Sequence, residues 1–311
     1  MTRYIVKRLI ISVFTILTIL LVLFLMLELM PGTPFNDEKL TPEQKEIIYE
    51  KYGLDKPVMV RFANYITLMS KGDFGVSYNV MKNMPIAKML KPRIAITVRL
   101  GIQAVILGTV IGLFLGVLAA IKHNTVWDTL TSIIAVIGVS VPSYVFALIL
   151  AYLVGFKLQW LPISFDTAMQ FESTILPTIA LSMFTIATVS RFLRSEMLEV
   201  LSSEYILLAR AKGLRERKII SRHSMRNALI PVITVLGPLV VSLMTGSLVI
   251  EKIFAIPGLG SLFVKAIQVN DYNLVIAIAF IYSLLFIFVM LIIDILYGII
   301  DPRIRLGKEA N

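Results

Sequence analysis

Long apolar blocks separated by shorter polar segments dominate the pattern of the chain. The first block, residues 9–30, carries a single ionisable side chain, Glu28, close to its end. A helix of that length reaches about 33 Å, enough to cross the roughly 30 Å hydrocarbon core of a bilayer. Five further blocks are long and apolar enough to do the same: 98–121, 129–156, 175–192, 229–250 and 274–300. The pattern predicts an all-α integral membrane protein with about six transmembrane helices.

The first block predicts a retained helix and not a cleaved signal. A secretory signal has an apolar core of roughly 7–15 residues followed by a cleavage site with small residues. Residues 9–30 are longer than that and stop at Pro31-Gly32. We therefore expect an N-terminal transmembrane helix over 1–30 and a five-helix core over 98–306.

The segments that join the apolar blocks differ in their content of lysine and arginine. The net charge of +10 invites a nucleic-acid interpretation, but the lysines and arginines fall in short segments between apolar blocks. Nine of them lie in 191–227, whereas two short loops on the other side carry three, namely Lys157, Lys252 and Lys265. By the positive-inside rule, both termini and the 191–227 loop are predicted to be cytoplasmic, with no role in binding nucleic acid.

Segment 31–97 lies outside in this topology and is too long for a simple turn. Helix-like runs at 42–51 and 57–70 predict a small extracytoplasmic cap with short helices. Within the spans, Gly108, Gly112 and Gly116 form two overlapping small-xxx-small units that predict close helix packing.

Two prolines are expected to interrupt spans. Pro142 lies in the third block and Pro238 in the fifth. A proline inside a spanning helix removes a backbone donor and bends the helix. Both are candidate gating bends beside a pathway, and both are equally well explained as packing kinks.

The inner loop 191–227 has its own helical signals. Ser203 can cap a helix over 204–212, Glu204 suits its positive end, and Gly213 can terminate it. Tyr205, Leu208 and Ala209 are expected on one face. The neighbouring residues combine small side chains with charge, namely Ala211, Arg210 and Lys212. The loop is either an amphipathic surface on anionic lipid or a docking site for a partner.

Sequence signatures of enzymes are absent. The chain has no G-x-x-x-x-G-K-[ST] loop, no dinucleotide fingerprint, no H-E-x-x-H and no G-x-S-x-G. It has no cysteine, and its two histidines, His123 and His223, are far apart in polar stretches, so no metal site is expected. Any energy source therefore lies in a partner or in an ion gradient.

Several motifs follow one another in a recognisable order. They are Pro31-Gly32-Thr33-Pro34, Tyr52-Gly53-Leu54-Asp55-Lys56-Pro57, Lys71-Gly72-Asp73-Phe74-Gly75, Val141-Pro142-Ser143, Trp160-Leu161-Pro162-Ile163-Ser164, Ala209-Arg210-Ala211-Lys212-Gly213-Leu214, Arg226-Asn227-Ala228-Leu229-Ile230-Pro231, Ile256-Pro257-Gly258-Leu259-Gly260 and Asp301-Pro302-Arg303. With these, nearly the whole chain resembles the membrane subunit of oligopeptide and dipeptide ABC importers, the B-type permease of the Opp/Dpp group.

The resemblance implies a function and a set of partners. Residues 204–214 would be the coupling helix that docks on an ATPase subunit, although Leu207 stands where the wider family has a glutamate. The partners would be a homologous second permease, two ATPases that hold ATP and Mg, an extracellular binding protein, and a peptide, in a bacterial cell membrane. The chain itself would bind no cofactor and catalyse no reaction. A permease for nickel or another small solute, and an ion-coupled secondary transporter, remain as alternatives.

Overall fold

The computed structural model describes residues 2–29, 41–53, 55–246 and 248–300. Regular structure in these ranges is helical, and the only extended pairing in them is an isolated antiparallel bridge between Val76 and Pro85. The helices, in chain order, are α1 Thr2–Glu28, α2 Pro42–Tyr52, α3 Val58–Ser70, α4 Ile86–Ile121, α5 Val126–Ser140, α6 Ser143–Leu150, α7 Glu172–Leu201, α8 Glu204–Ala211, α9 Glu216–Lys218, α10 Met225–Gly246, α11 Leu248–Ile253, α12 Leu259–Gln268 and α13 Tyr272–Ile300. Two π-helical segments, Ala151–Lys157 and Ile219–Ser224, follow α6 and α9.

Among the described residues, four helices are long and apolar enough to cross a bilayer. They contain the stretches Leu9–Glu28, Ile86–Ile121, Glu172–Leu201 and Tyr272–Ile293. A bent pair, Val126–Ser140 with Ser143–Lys157, makes five if it counts as one span. These correspond to five of the six predicted blocks, and α10 covers most of the remaining one, 229–250. The all-α membrane architecture predicted from the apolar blocks is confirmed.

The third predicted span, 129–156, is a broken helix. The helix α5 ends at Ser140, α6 begins at Ser143, and the two axes are bent by 104°. Proline restricts the residue before it to extended backbone, and Val141 has φ −91° and ψ 124°. In contrast, α10 continues through Pro238, so the predicted interruption of the fifth block at that residue is not seen.

The described residues form two compact units. The first is drawn from the chain up to Thr97 and from Pro257–Ile287, and the second from Val98–Ile256 and the residues from Phe288 on. The division at residue 98 into an N-terminal part and a five-helix core stays a prediction. In the first unit, Leu274–Ile278 join Ile86 and Leu90 in one buried cluster.

The first unit explains why α4 begins twelve residues before the predicted span. Ile86, Met89 and Leu90 are buried, although the charged residues around them hide this turn from an apolar-block search. The predicted helices of segment 31–97 appear as α2 and α3. In this unit Arg61 pairs with Glu28 at 2.9 Å and lies 5.7 Å from the centre of the Phe24 ring.

A buried carboxylate fastens the loop before α4 to the loop before α13. Asp271 is fully buried, and its oxygens accept hydrogen bonds from the Ser77 hydroxyl and from the backbone amides of Tyr78, Asn79 and Val80. Nearby, the Tyr65 hydroxyl donates to the Asn273 carbonyl at 3.0 Å. Burial, together with the negative charge of neighbouring groups, holds the pKa of Tyr65 well above its usual value.

The second unit is organised around α7, the most buried of the long helices. Almost three quarters of its most apolar window is buried, against a third or less for the other candidate spans. Its buried side chains include several small hydroxyls, two of which donate to the helix backbone: Ser182 to the Ile179 carbonyl and Ser190 to the Ala187 carbonyl. α7 therefore forms the frame on which α5, α6 and α10 pack.

Candidate docking site

The helix α8 spans Glu204–Ala211, close to the predicted 204–212, and ends as a Schellman motif. Gly213 has φ +75°, its amide donates to Arg210 at 2.9 Å, and the Leu214 amide donates to Ala209 at 3.2 Å. These two bonds satisfy carbonyls that a helix end leaves open. Glycine is favoured here because its backbone is left-handed.

The predicted Ser203 cap is wrong. Ser203 does occupy the N-cap position, but its hydroxyl donates to the Val200 carbonyl at 2.6 Å and makes no bond with α8. The reason lies in the preceding helix: α7 ends at Leu201, and the Ser203 side chain turns to the Val200 carbonyl near that end, so its oxygen accepts no hydrogen bond from the α8 amides. The side chain thus closes α7 and does not open α8.

The buried face of α8 differs from the predicted one. Ile206 and Ala209 are buried and form a small cluster with Ile219, against which Val200 and Leu214 pack. Tyr205 and Leu208, predicted to share a face with Ala209, are 43% and 55% exposed. Ala209 therefore packs within the chain, on the same face as Ile206, which lies one turn before it.

The outward surface of α8 combines apolar and basic side chains. Leu207 is 56% exposed beside Leu208, and Arg210, Ala211 and Lys212 are exposed as well. Large exposed aliphatic side chains next to charge are typical of a contact surface for a partner or a membrane. Leu207 was not among the predicted site residues. Its position next to Leu208 on a short helix is the sequence feature that could have indicated it.

Two polar contacts hold α8 to the chain that follows it. The Asn227 amide donates to the Tyr205 hydroxyl oxygen at 2.8 Å, and Arg210 donates to Glu216 at 2.7 Å. The Glu216 carboxylate raises the pKa of the Arg210 guanidinium, which stays charged. Between these contacts lies the π segment Ile219–Ser224, where the Met225 amide reaches back to Ile220. π segments of this kind often accompany functional sites.

An ion-pair cluster that the sequence pattern did not reveal lies close to this loop. Arg194 of α7 donates from Nε to Oδ1 of Asp128 at 2.6 Å and from Nη2 to Oδ2 at 2.9 Å. Nδ1 of His123 lies 3.0 Å from Oδ2, and the Asn124 amide donates to the same oxygen. His123 thus contacts a carboxylate, although a solvated loop was expected for it. The signal in the sequence is Asp128, the single acid of the short inner segment 122–128.

The three glycines of the predicted packing motif lie along α7. A Cβ placed on Gly108 would come within 2.6 Å of Thr185, and one on Gly112 within 2.8 Å of Val189. One on Gly116 would come within 2.9 Å of Leu193. In the same unit, a Cβ on Gly138 of α5 would lie 2.7 Å from Ala187. Such distances exclude any side chain, so backbones approach closely at each position.

A groove opens at the break in the third span. It has a volume of about 180 Å³ and is lined by backbone and side chains around Pro142, including Val141, Phe146, Phe184 and Leu243. Irregular backbone within a membrane segment is tolerated where it is buried in protein or lines a cavity. The gating roles of Pro142 and Pro238 stay predictions.

No group of three or more His, Asp or Glu side chains suited to a metal ion occurs in the described part of the chain. The outward residues of α8 are basic, aliphatic and small, and its inward residues Ile206 and Ala209 are buried.

Comparison with known families decides the class of this protein. The family described as binding-protein-dependent transport system inner membrane component matches residues 108–306, and its N-terminal family matches residues 1–101. The chain belongs to this family. It is a multi-pass membrane component of a binding-protein-dependent transport system. This class excludes the alternative of an ion-coupled secondary transporter.

Relatives match over essentially the whole chain. The dipeptide transport system permease protein DppB of Lactococcus lactis subsp. cremoris is 45% identical over 98% of this chain and 100% of that protein. DppB of Bacillus subtilis is 39% identical over 100% of both. The oligopeptide transport system permease protein OppB of Salmonella typhimurium is 39% identical over 98% of this chain and 100% of that protein.

Solved structures with a similar fold are distant in sequence. The inward-facing MetNI methionine ABC transporter superposes with a TM-score of 0.57 at 16% identity, covering 68% of this chain and 96% of that chain. A second amino acid ABC transporter gives a TM-score of 0.53 at 16% identity, covering 68% of this chain and 93% of that chain. They show that the fold is shared.

Proposed function

We propose that this chain is the B-type permease subunit of an ATP-driven importer of dipeptides or oligopeptides. It pairs with a homologous second permease in a bacterial cell membrane and receives peptides from an extracellular binding protein. Two ATPase subunits supply the energy and hold ATP and Mg, and this chain binds neither. The observation that supports this function most directly is the full-length similarity to permeases named for dipeptide and oligopeptide transport.

The structural support for ATPase contact is the outward surface of α8. Exposed Leu207 and Leu208 give an apolar patch, and Arg210 and Lys212 give positive charge beside it. The buried pair Ile206 and Ala209 holds this surface rigidly on the second unit. A short helix that is fixed on one side and apolar on the other suits a groove in a partner protein. An ATPase that changes shape with nucleotide would displace such a helix as a body.

Cysteine cross-linking tests this assignment, because the chain has no cysteine of its own. In the purified complex, Ala211→Cys is expected to form a disulfide or a short cross-link with a cysteine placed in the groove of the ATPase. Trp160→Cys is a matched control on an exposed residue of the predicted outer loop. Cross-linking of position 160 but not of position 211 would overturn the docking assignment.

The same two variants test the predicted orientation. In sealed cells a membrane-impermeant maleimide is expected to label Trp160→Cys, and to label Ala211→Cys only after permeabilisation. Uptake of radiolabelled dipeptides and longer peptides, with nickel as a competitor, then separates the substrate classes. Uptake that persists after deletion of the ATPase genes would contradict the ATP-driven function.

A further inference from the structure

The ion pair between Asp128 and Arg194 lies on one route by which movement of α8 reaches the membrane helices. α8 is packed by Ile206 and Ala209 against Val200, near the end of α7. Arg194 lies on the same helix, about two turns before its end at Leu201. A displacement of α8 reaches the end of α7 directly at Val200, and also through Ile219 of the π segment, which contacts both α8 and α7.

The geometry of the pair favours a rigid connection. Arg194 donates through two nitrogens to the two oxygens of one carboxylate, at 2.6 and 2.9 Å. The Asp128 side chain is 7% exposed and that of Arg194 is 29% exposed. Two parallel charge-assisted bonds fix both distance and orientation, and partial exclusion of water strengthens them.

The same carboxylate holds the turn between α4 and α5. Oδ2 of Asp128 accepts from the Asn124 amide at 3.0 Å and lies 3.0 Å from Nδ1 of His123. Asn124 has φ +59°, a left-handed backbone that asparagine tolerates better than most residues. Asp128 therefore links three segments: the turn, the first turn of α5, and α7.

α5 has a second fixed point on α7 near its other end. A Cβ on Gly138 would lie 2.7 Å from Ala187 and 2.9 Å from the Met183 carbonyl oxygen. Two residues later α5 ends at Ser140, and the chain turns through the 104° break at Pro142. A helix held at both ends follows its support as a body, so α5 moves with α7 up to the break at Pro142.

We propose that Asp128 and Arg194 are positioning residues that make α5 follow α7 when the partner ATPase displaces α8. The pair converts movement of the docking surface into movement of the broken third span beside its groove. The inference rests on the proposed function, because it requires an ATPase bound at α8. It concerns how displacement of α8 is coupled to movement of α5, and not whether the ATPase binds.

The test compares peptide uptake with ATP hydrolysis in proteoliposomes that hold the complete transporter. Arg194→Lys keeps the charge and removes the two-pronged contact, and Asp128→Asn with Arg194→Gln removes both charges without leaving one buried alone. Loss of a charge-assisted hydrogen bond of this strength is expected to lower the number of peptides moved per ATP about tenfold. ATP hydrolysis and the amount of assembled complex are expected to stay within about twofold of the wild type.

Arg99→Gln is the control. Arg99 is an exposed arginine of the same unit whose guanidinium reaches Gln170 at 3.4 Å. This variant is expected to keep the wild-type ratio of peptide to ATP.

The proposal is overturned if the doubly neutral variant keeps the wild-type ratio. It is also overturned if uptake and hydrolysis fall in the same proportion with the amount of complex, since that is the behaviour of a purely structural contact. A wild-type chain that never binds an ATPase would instead overturn the proposed function, and with it this role. Binding of the ATPase to the wild-type chain therefore distinguishes failure of the proposed function from failure of the role of Asp128 and Arg194.

Discussion

The backbone amide of Leu214 donates to the carbonyl oxygen of Ala209 at 3.2 Å, across a glycine with a left-handed backbone. This bond ends α8 and turns the chain back so that Leu214 packs on the cluster of Ile206 and Ile219. The end of α8 and its attachment to the second unit thus depend on Gly213.

The first prediction concerns Gly213→Asp. A Cβ at this position meets nothing within 4 Å, so the substitution causes no clash, but φ +75° costs a side chain about 1 kcal/mol. The added carboxylate would have to be desolvated in the ATPase groove beside Lys212. We expect ATP hydrolysis to continue while peptide uptake is lost, with the chain still in the membrane.

Gly213→Asn is the matched control, because asparagine has the same shape, tolerates a left-handed backbone and has no charge. It is expected to keep most of the uptake. Normal uptake by Gly213→Asp, measured in the same vesicles, would contradict the docking assignment.

The second prediction separates the two faces of α8. Ile206 is fully buried, and Ile206→Ala is expected to destabilise the element by about 2 kcal/mol or more. Its loosening should increase trypsin cleavage at the exposed Arg215 and Arg217. Leu207 is 56% exposed, so Leu207→Ala should leave the cleavage rate unchanged and instead weaken co-purification of the ATPase. Faster cleavage of Leu207→Ala, with weaker co-purification of the ATPase by Ile206→Ala alone, would show that the outward face is misassigned.

The apolar blocks and the helical signals predict much of the fold. They fail where contacts between residues distant in sequence determine the direction of a helix or its buried face. Block length is enough to place α1, α7 and α13, because crossing a bilayer requires a long apolar helix. Pro142 predicts an interruption but no angle, since the direction of α6 depends on its packing against α7.

The docking helix shows the same limit at the level of single residues. Helical spacing allows the buried face to be centred on either Tyr205 or Ile206. Ile219 decides between them by packing on Ile206, and no local pattern reveals that contact. The link between Ser77 and Asp271 joins residues 194 positions apart and is likewise invisible to a local search.

The third prediction concerns the contact of α4 with α7. A Cβ on Gly108 would come within 2.6 Å of the Thr185 Cβ, so Gly108→Ala is expected to destabilise the protein by about 1–3 kcal/mol through overpacking. The thermal midpoint of the detergent-solubilised protein should fall accordingly. Thr185→Gly removes the opposing Cβ, and the double variant should be more stable than the sum of the single effects allows. Strict additivity in this cycle would show that the two residues do not press on each other.

The last prediction concerns the buried carboxylate of the first unit. Asp271 accepts from the Ser77 hydroxyl and from three consecutive backbone amides, and no other group in that set can accept four donors at once. In Asp271→Asn one oxygen becomes an NH₂ group, which leaves at least one buried amide unpaired at a cost of about 1–3 kcal/mol. The 76–85 loop should open, and trypsin should cut more quickly at the exposed Lys82. Ser77→Ala is the graded control, because it removes one donor to Asp271 and the acceptor of the Met81 amide, and leaves the carboxylate and its three amide bonds intact. Its cleavage rate is expected to lie between the wild type and Asp271→Asn. If Asp271→Asn were cleaved no faster than the wild type, the three amides would have to find other acceptors, and the carboxylate would not be what orders this loop.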